Sequence, residues 1–157
     1  LLISPLPLLT PVHECACLTH APARHLSCEP IIGRCIFKGS YSPYWSGKKN
    51  IIHSRELEYK NKRWTINDVI SGEGVHSVSN FIHIHPDVDC VKKNGEYFLI
   101  KDANKLAKIT FSDTVNISEE AGWYYPEFGI KIKNTVLRLS TNGLLPIKQS
   151  YVIDEVL

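Results

Sequence analysis

From Ser40 to its end the chain is a succession of short alternating segments closed by turn chemistry, and no window holds helical spacing for three turns. This pattern restricts the fold more than any other feature. Alternation sends successive side chains to opposite faces, so each segment has one face to bury and one to leave in solvent. In 51–60, Arg55, Leu57 and Tyr59 share one face while Ser54, Glu56 and Glu58 share the other. Asn61-Lys62 marks a reversal into 63–70, where Trp64 and Ile66 alternate with Thr65 and Asn67. Ser71-Gly72-Glu73-Gly74 is the next turn, and Phe81 to His85 alternates until Pro86-Asp87 stops it. Asn94-Gly95, between 88–92 and 97–100, is the strongest hairpin signal, because a type I′ turn needs positive φ at both central residues. Ala107, Ile109 and Phe111 alternate with Lys108 and Thr110, and 136–140 and 151–153 are further strands, expected to be joined through Thr141-Asn142-Gly143. Many short strands at about 8–12 residue spacing predict an all-β antiparallel sandwich.

Residues 1–38 read differently. They hold Pro5, Pro7, Pro11, Pro22 and Pro30, four of the five cysteines and three of the seven histidines, without a sustained period. Such proline density interrupts ladders and helices, so the expectation is an irregular or disordered leader, extraneous to a domain spanning 39–157. Within it, His13, Cys15, Cys17, His20, His25 and Cys28 are residue types that zinc prefers. Their spacing lacks a paired Cys-x-x-Cys knuckle, and the odd cysteine count leaves one thiol outside any complete disulfide framework. A metal-binding regulatory protein built on this leader therefore ranks last among the functional readings. The start at Leu1 and the absence of Met imply a processed chain or a fragment of a longer one. The apolar opening segment 1–9 lacks the basic flank of a signal peptide and carries two prolines.

Charge excludes little but excludes it clearly. Eighteen Lys and Arg against 16 Asp and Glu give a formal net charge of +2, too balanced for a nucleic-acid-binding chain. The mild grouping of Lys48, Lys49, Lys60, Lys62 and Arg63 suits a solvated strand edge. No apolar run reaches the roughly 20 residues that a membrane-spanning helix needs.

Four segments, in order, resemble the C-terminal region of the heparinase II/III-like family. They are Ile52-His53-Ser54-Arg55-Glu56-Leu57, then 64–72 with His76 behind it, then Phe81-Ile82-His83-Ile84-His85-Pro86-Asp87-Val88, and last Gly122-Trp123-Tyr124-Tyr125-Pro126-Glu127-Phe128-Gly129. The resemblance implies a supersandwich-like β-domain that follows an α/α toroid, in a periplasmic or extracellular enzyme that cleaves acidic polysaccharides by β-elimination. It implies that Tyr, His and a carboxylate-neutralising Asn or Arg do the chemistry, mostly from the toroid. The family's Gly-His-x-His-x-Asp and His-Asn-Thr motifs are absent from this sequence. No catalytic residue is therefore carried over, and the chain alone is expected to be inactive. No cofactor is assigned to it; the resemblance leaves room for zinc or calcium in the full-length family member. The expected partners are an acidic polysaccharide and the missing toroid. The competing reading is a carbohydrate-binding sandwich without chemistry of its own.

Individual residues carry weaker expectations. His53 and Arg55 share a strand face and are candidates for contact with an acidic sugar, with cross-strand pairing to Glu56 or Glu58 the plainer alternative. Trp123, Tyr124 and Tyr125 are candidates for a sugar-stacking platform, although such clusters more often pack in a core. His83 and His85 also share a face and are candidate metal ligands, which Asp87 would need to complete. Docking of that face against the toroid is the favoured alternative. Cys90 reads as a small buried hydrophobe.

Overall fold

The computed structural model describes residues 9–10, 25–31, 34–42 and 51–156. Twelve strands form: β1 (Leu9–Thr10), β2 (His25–Ile31), β3 (Arg34–Tyr41), β4 (Ile52–Lys60), β5 (Arg63–Ser71), β6 (Val75–Ile84), β7 (Asp89–Lys93), β8 (Glu96–Lys101), β9 (Asn104–Phe111), β10 (Asn116–Tyr124), β11 (Ile132–Leu144) and β12 (Ile147–Glu155). Among the described residues there is no helix. One sheet has eight strands in the order β2-β3-β4-β5-β12-β9-β8-β7, and the other has four in the order β1-β6-β11-β10. The neighbouring strands pair antiparallel throughout. The architecture is the antiparallel β-sandwich that the alternation predicts.

Turn chemistry fixes the hairpins. Asn61 and Lys62 take φ of 51° and 62°, and Asn94 and Gly95 take 53° and 81°, the left-handed pair that lets a two-residue turn follow the strand twist. Asp102 and Ala103 do the same at 50° and 64° between β8 and β9. Between the sheets, Ile66, Tyr97, Leu99, Ile109, Tyr151 and Ile153 of the large sheet pack with Ile82, Ile84, Leu137 and Leu139 of the small one. A second, smaller cluster gathers Ile51, Ile70, Leu145 and Ile147. The inward side chains of β5 show why there are two clusters: Ile66 belongs to the first and Ile70 to the second, and the residue between them on that face is Asp68.

Three expectations are corrected. The sandwich does not begin at residue 39: β3 runs from Arg34 to Tyr41 and pairs with β4 along its whole length, and β2 adds a further strand outside it. Pro30 is accommodated because β2 is the outermost strand, where a missing N–H breaks no inner ladder. His13, Cys15, Cys17 and His20 lie outside the described residues. Thr141-Asn142-Gly143 is not a turn: Thr141 pairs with Val78 and Gly143 with His76 inside β11, and the chain reverses at Leu145-Pro146. Finally, β10 goes unseen in the sequence, because it is an edge strand whose Ser118, Glu119, Glu120 and Ala121 are all exposed. With so little of it buried, it shows no apolar alternation.

Gly122 on β10 is required by close approach. A Cβ there would stand 2.3 Å from Val136 Cγ2 and 2.7 Å from Asn134 Oδ1 on the paired β11. Gly122→Ala is expected to lower stability by about 1–3 kcal/mol, the usual cost of overpacking, with part restored by Val136→Ala in the same chain. Urea unfolding measures it, and an unchanged midpoint for Gly122→Ala would contradict this account of the β10–β11 contact.

Candidate functional site

Asp68 is 1% exposed and stands at the centre of a polar layer that crosses the sandwich. Its partners come from both sheets. Arg55 on β4 donates through Nε to Oδ1 at 2.7 Å and through Nη2 to Oδ2 at 2.9 Å. His53, two residues earlier on the same face, places Nε2 2.6 Å from Oδ1, and a carboxylate can only accept, so this nitrogen carries the proton. From the small sheet, Asn80 on β6 donates Nδ2 to Asp68 Oδ2 at 2.8 Å and accepts from Arg55 Nη2 at 3.1 Å. Gln149, which pairs with Asp68 in register from β12, donates to Thr141 Oγ1 on β11 at 3.1 Å. Burial alone would raise the Asp68 pKa, but the hydrogen bonds from His53 and Arg55 outweigh it and hold the carboxyl below its ordinary value. Burial pushes the neighbouring Tyr151 hydroxyl up to about 12, against the pull of Arg55.

This geometry changes the reading of His53 and Arg55. They face Asp68 inside the sandwich, and His53 also meets the Tyr41 ring edge-on at 5.2 Å between centroids. Glu56 and Glu58 project to the opposite face and pair with Lys38 and Arg34. The expected cross-strand partners were therefore the wrong acids. Asp68 escaped the sequence reading because an acid within an alternating strand gives no sign of which face it occupies until the inward partners are known. Arg55, bonded to a carboxylate of its own sheet and an amide of the other, is a clasp between sheets.

The aromatic segment does not form one platform. Trp123 and Tyr124 are successive residues of β10 and so point to opposite faces. Lys131 Nζ lies 3.7 Å from the centre of the Trp123 ring. Tyr124 turns to the outer face of the small sheet and packs on His85, with ring centroids 5.1 Å apart. Tyr125 opens the connection to β11, where Tyr125, Phe128, Ile130 and Ile132 are all exposed, Phe128 completely. Gly129, at φ 81°, and the Ile130 N–H to Glu127 carbonyl bond of 3.2 Å shape this connection.

His83 and His85 do share the outer face, while Ile82 and Ile84 fill the core beneath. Asp87 N donates to His85 Nδ1 at 3.2 Å, and the Asp87 carboxylate is 3.8 Å from that nitrogen and 3.6 Å from Lys101 Nζ. Among the described residues no three His, Cys, Asp or Glu side chains gather as a metal site would require. Cys90 packs half-buried against the main core, and burial pushes its thiol up to about 11.

The sequence matches the heparinase II/III-like C-terminal family model over residues 24–150. The chain belongs to the heparinase II/III-like family. Its fold is similar to that of heparan sulfate lyase HepC from Pedobacter heparinus, with a TM-score of 0.72 at 15% identity, covering 85% of this chain and 21% of that one. A heparinase III gene product is similar at a TM-score of 0.69 and 15% identity, covering 88% of this chain and 22% of that one. This chain thus spans about a fifth of the length of these enzymes. No curated protein matches the sequence. No helix among the described residues is long and apolar enough to cross a membrane.

Two consequences of the Asp68 layer are measurable. Asp68→Ala leaves Arg55 buried without its counter-charge and is expected to cost about 3–5 kcal/mol in urea unfolding. Because the folded pKa of Asp68 is depressed, its contribution is complete above the unfolded value of about 3.9 and is lost as pH falls through the lower folded value. The urea midpoint of the native chain is therefore expected to fall steeply below about pH 4, and that of Asp68→Asn to fall less. Parallel curves for the two would remove Asp68 as the acid-sensitive group.

Proposed function

We propose that this chain is the non-catalytic sandwich portion of a lyase that cleaves uronate-containing polysaccharides by β-elimination, outside the cytoplasm. Elimination requires a neutralised carboxylate, a base for the adjacent proton and an acid for the departing oxygen, all within reach of one sugar. Among the described residues, the buried acid, imidazole and guanidinium of the polar layer are engaged with one another. The half-buried Tyr124 and the exposed Tyr125 stand apart from that layer on the β10–β11 hairpin. Catalysis then falls to the polypeptide that the solved relatives carry beyond the region matched here.

The observation that carries this reading is the β10–β11 hairpin. Trp123, Tyr125, Phe128, Ile130 and Ile132 are all exposed along this one hairpin. A cluster of large exposed apolar side chains marks a contact surface. The occupant we assign to it is the further chain that the solved relatives carry, about four-fifths of their length, which the family resemblance implies to be an α/α toroid. The second reading, an independent carbohydrate-binding module, is favoured by the Lys131 ammonium over the Trp123 ring, a pairing suited to an acidic sugar. Coding DNA upstream of Leu1 separates the two, since only the lyase reading expects a helical segment ending in Gly-His-x-His-x-Asp.

Residues 1–157 alone are expected to give no ultraviolet absorbance from unsaturated uronate product with heparin, heparan sulfate, alginate or hyaluronate. Loss of orientation alone removes roughly 7–11 kcal/mol of the barrier reduction. Turnover that disappears in Tyr124→Phe, Tyr125→Phe or His83→Ala would instead make this chain a complete enzyme.

A further inference from the structure

The two faces of the β10–β11 hairpin differ in chemistry. Tyr124 and its register partner Ile132 share the face on which His85 packs. Trp123 and its partner Lys133 share the opposite face, because neighbouring residues of a strand alternate. Lys131 reaches the same ring, with its Nζ 3.7 Å from the centre of Trp123. All three side chains remain accessible: Lys131 and Lys133 are exposed, and Trp123 keeps 41% of its surface in solvent with that ammonium over it. Ala121, the next residue of β10 on this face, is also exposed and too small to fill the space beside the indole.

Neither lysine is neutralised. Among the described residues Lys38, Lys101 and Lys108 each meet a carboxylate, as do Arg34, Arg55, Arg63 and Arg138, whereas no acid pairs with Lys131 or Lys133. Phe98 on β8 supplies the contrast. It too has an ammonium near its ring, Lys105 at 4.9 Å, and a lysine opposite it in register, Lys108. There Glu96 binds Lys108 at 2.9 Å, and Phe98 is half-buried. At Trp123 the same arrangement lacks the acid, so two positive charges stand beside an exposed indole. Such a surface suits a dry protein contact poorly, because taking uncompensated ammoniums out of water is costly and lysine is depleted where proteins meet. It fits a ligand that brings the anion itself. A sugar ring can lay an apolar face on the indole while its carboxylate or sulfate meets the two ammoniums.

We propose that Trp123, Lys131 and Lys133 form a subsite for one acidic sugar of the polymer, its ring on the indole and its anion at the two lysines. The subsite rests on the lyase-portion reading above for the identity of the polymer and adds where the sandwich holds it. The hairpin is thereby divided, with the Ile132 side left for protein docking and the Trp123 side for polysaccharide.

The test is calorimetric binding of heparan sulfate, alginate and neutral dextran oligosaccharides to residues 1–157, at low and at high salt. Alginate carries carboxylates alone and heparan sulfate adds sulfates, so the pair shows which anion the lysines hold. The variants are Trp123→Ala, Lys131→Ser and Lys133→Ser, with Lys105→Ser as the control, each checked for folding by its unfolding transition. Expected are binding of an acidic oligosaccharide and a loss of about tenfold in Trp123→Ala. Each of Lys131→Ser and Lys133→Ser is expected to lose about threefold at low salt and less at high salt, and Lys105→Ser nothing. Where Trp123→Ala does not fold, the two lysine variants decide. A folded chain that binds neither acidic oligosaccharide, or unchanged affinity in the Trp123, Lys131 and Lys133 variants, overturns the subsite. An equal loss in Lys105→Ser reveals diffuse attraction of charge and overturns it as well, and so does dextran that binds as tightly as the acidic oligosaccharides. Each of these failures leaves the lyase-portion reading standing, since that reading is decided by the coding DNA upstream of Leu1.

Discussion

The two sheets are held in one relative position by a single carboxylate. Asp68 receives bonds from β4 through His53 and Arg55 and from β6 through Asn80, so it belongs to both sheets at once. Apolar packing is non-directional and leaves the lateral position of one sheet over the other weakly determined. A buried, fully paired carboxylate determines it, since sliding by one residue leaves a charge unpaired in the interior. The arrangement also divides the interior. Ile66 and Tyr151 lie on one side of the polar layer, Ile70 and Ile147 on the other, with Asp68 and Gln149 between them.

The same layer shows how a strand pattern can reveal a fold and conceal its chemistry. The strands from β4 to β9 and β12 were legible because most of their inward residues are apolar and most of their turns carry Asn, Gly or Pro. Arg55 and Tyr59 were correctly placed on one face with Leu57, but alternation alone does not tell which face is interior. Arg55 therefore looked like a surface cation. What resolves it is the long-range register that sets Arg55 opposite Asp68, a pairing between residues 13 apart in the chain. The β2–β3 hairpin was concealed for another reason. Its proline and mixed polarity suit an outer strand pair, where both the ladder and the buried face are incomplete.

Membership in the heparinase II/III-like family and the sandwich fold are independent observations that agree, one from residues 24–150 of the sequence and the other from the arrangement of twelve strands. The fold is shared with the solved enzymes at only 15% identity. The surface is where such sandwiches are free to differ. Here that freedom is spent on a hairpin with exposed apolar side chains and on a face where glycine lets two side chains of the next strand come close.

The rims of the sheets have a different consequence. The eight-stranded sheet ends on one side at β2, where Pro30 has no N–H to offer, and on the other at the five-residue β7, where Lys92 and Lys93 are exposed. The small sheet ends at the two-residue β1 and at β10, which carries the exposed Glu119 and Glu120. The rims at β2, β7 and β10 are thus short, charged or missing a donor, which are the devices that discourage a foreign strand from continuing a ladder. Recognition by strand addition is disfavoured at these three edges. What this domain meets there must come to it through side chains, and contacts of that kind can be changed one residue at a time without disturbing the sheets.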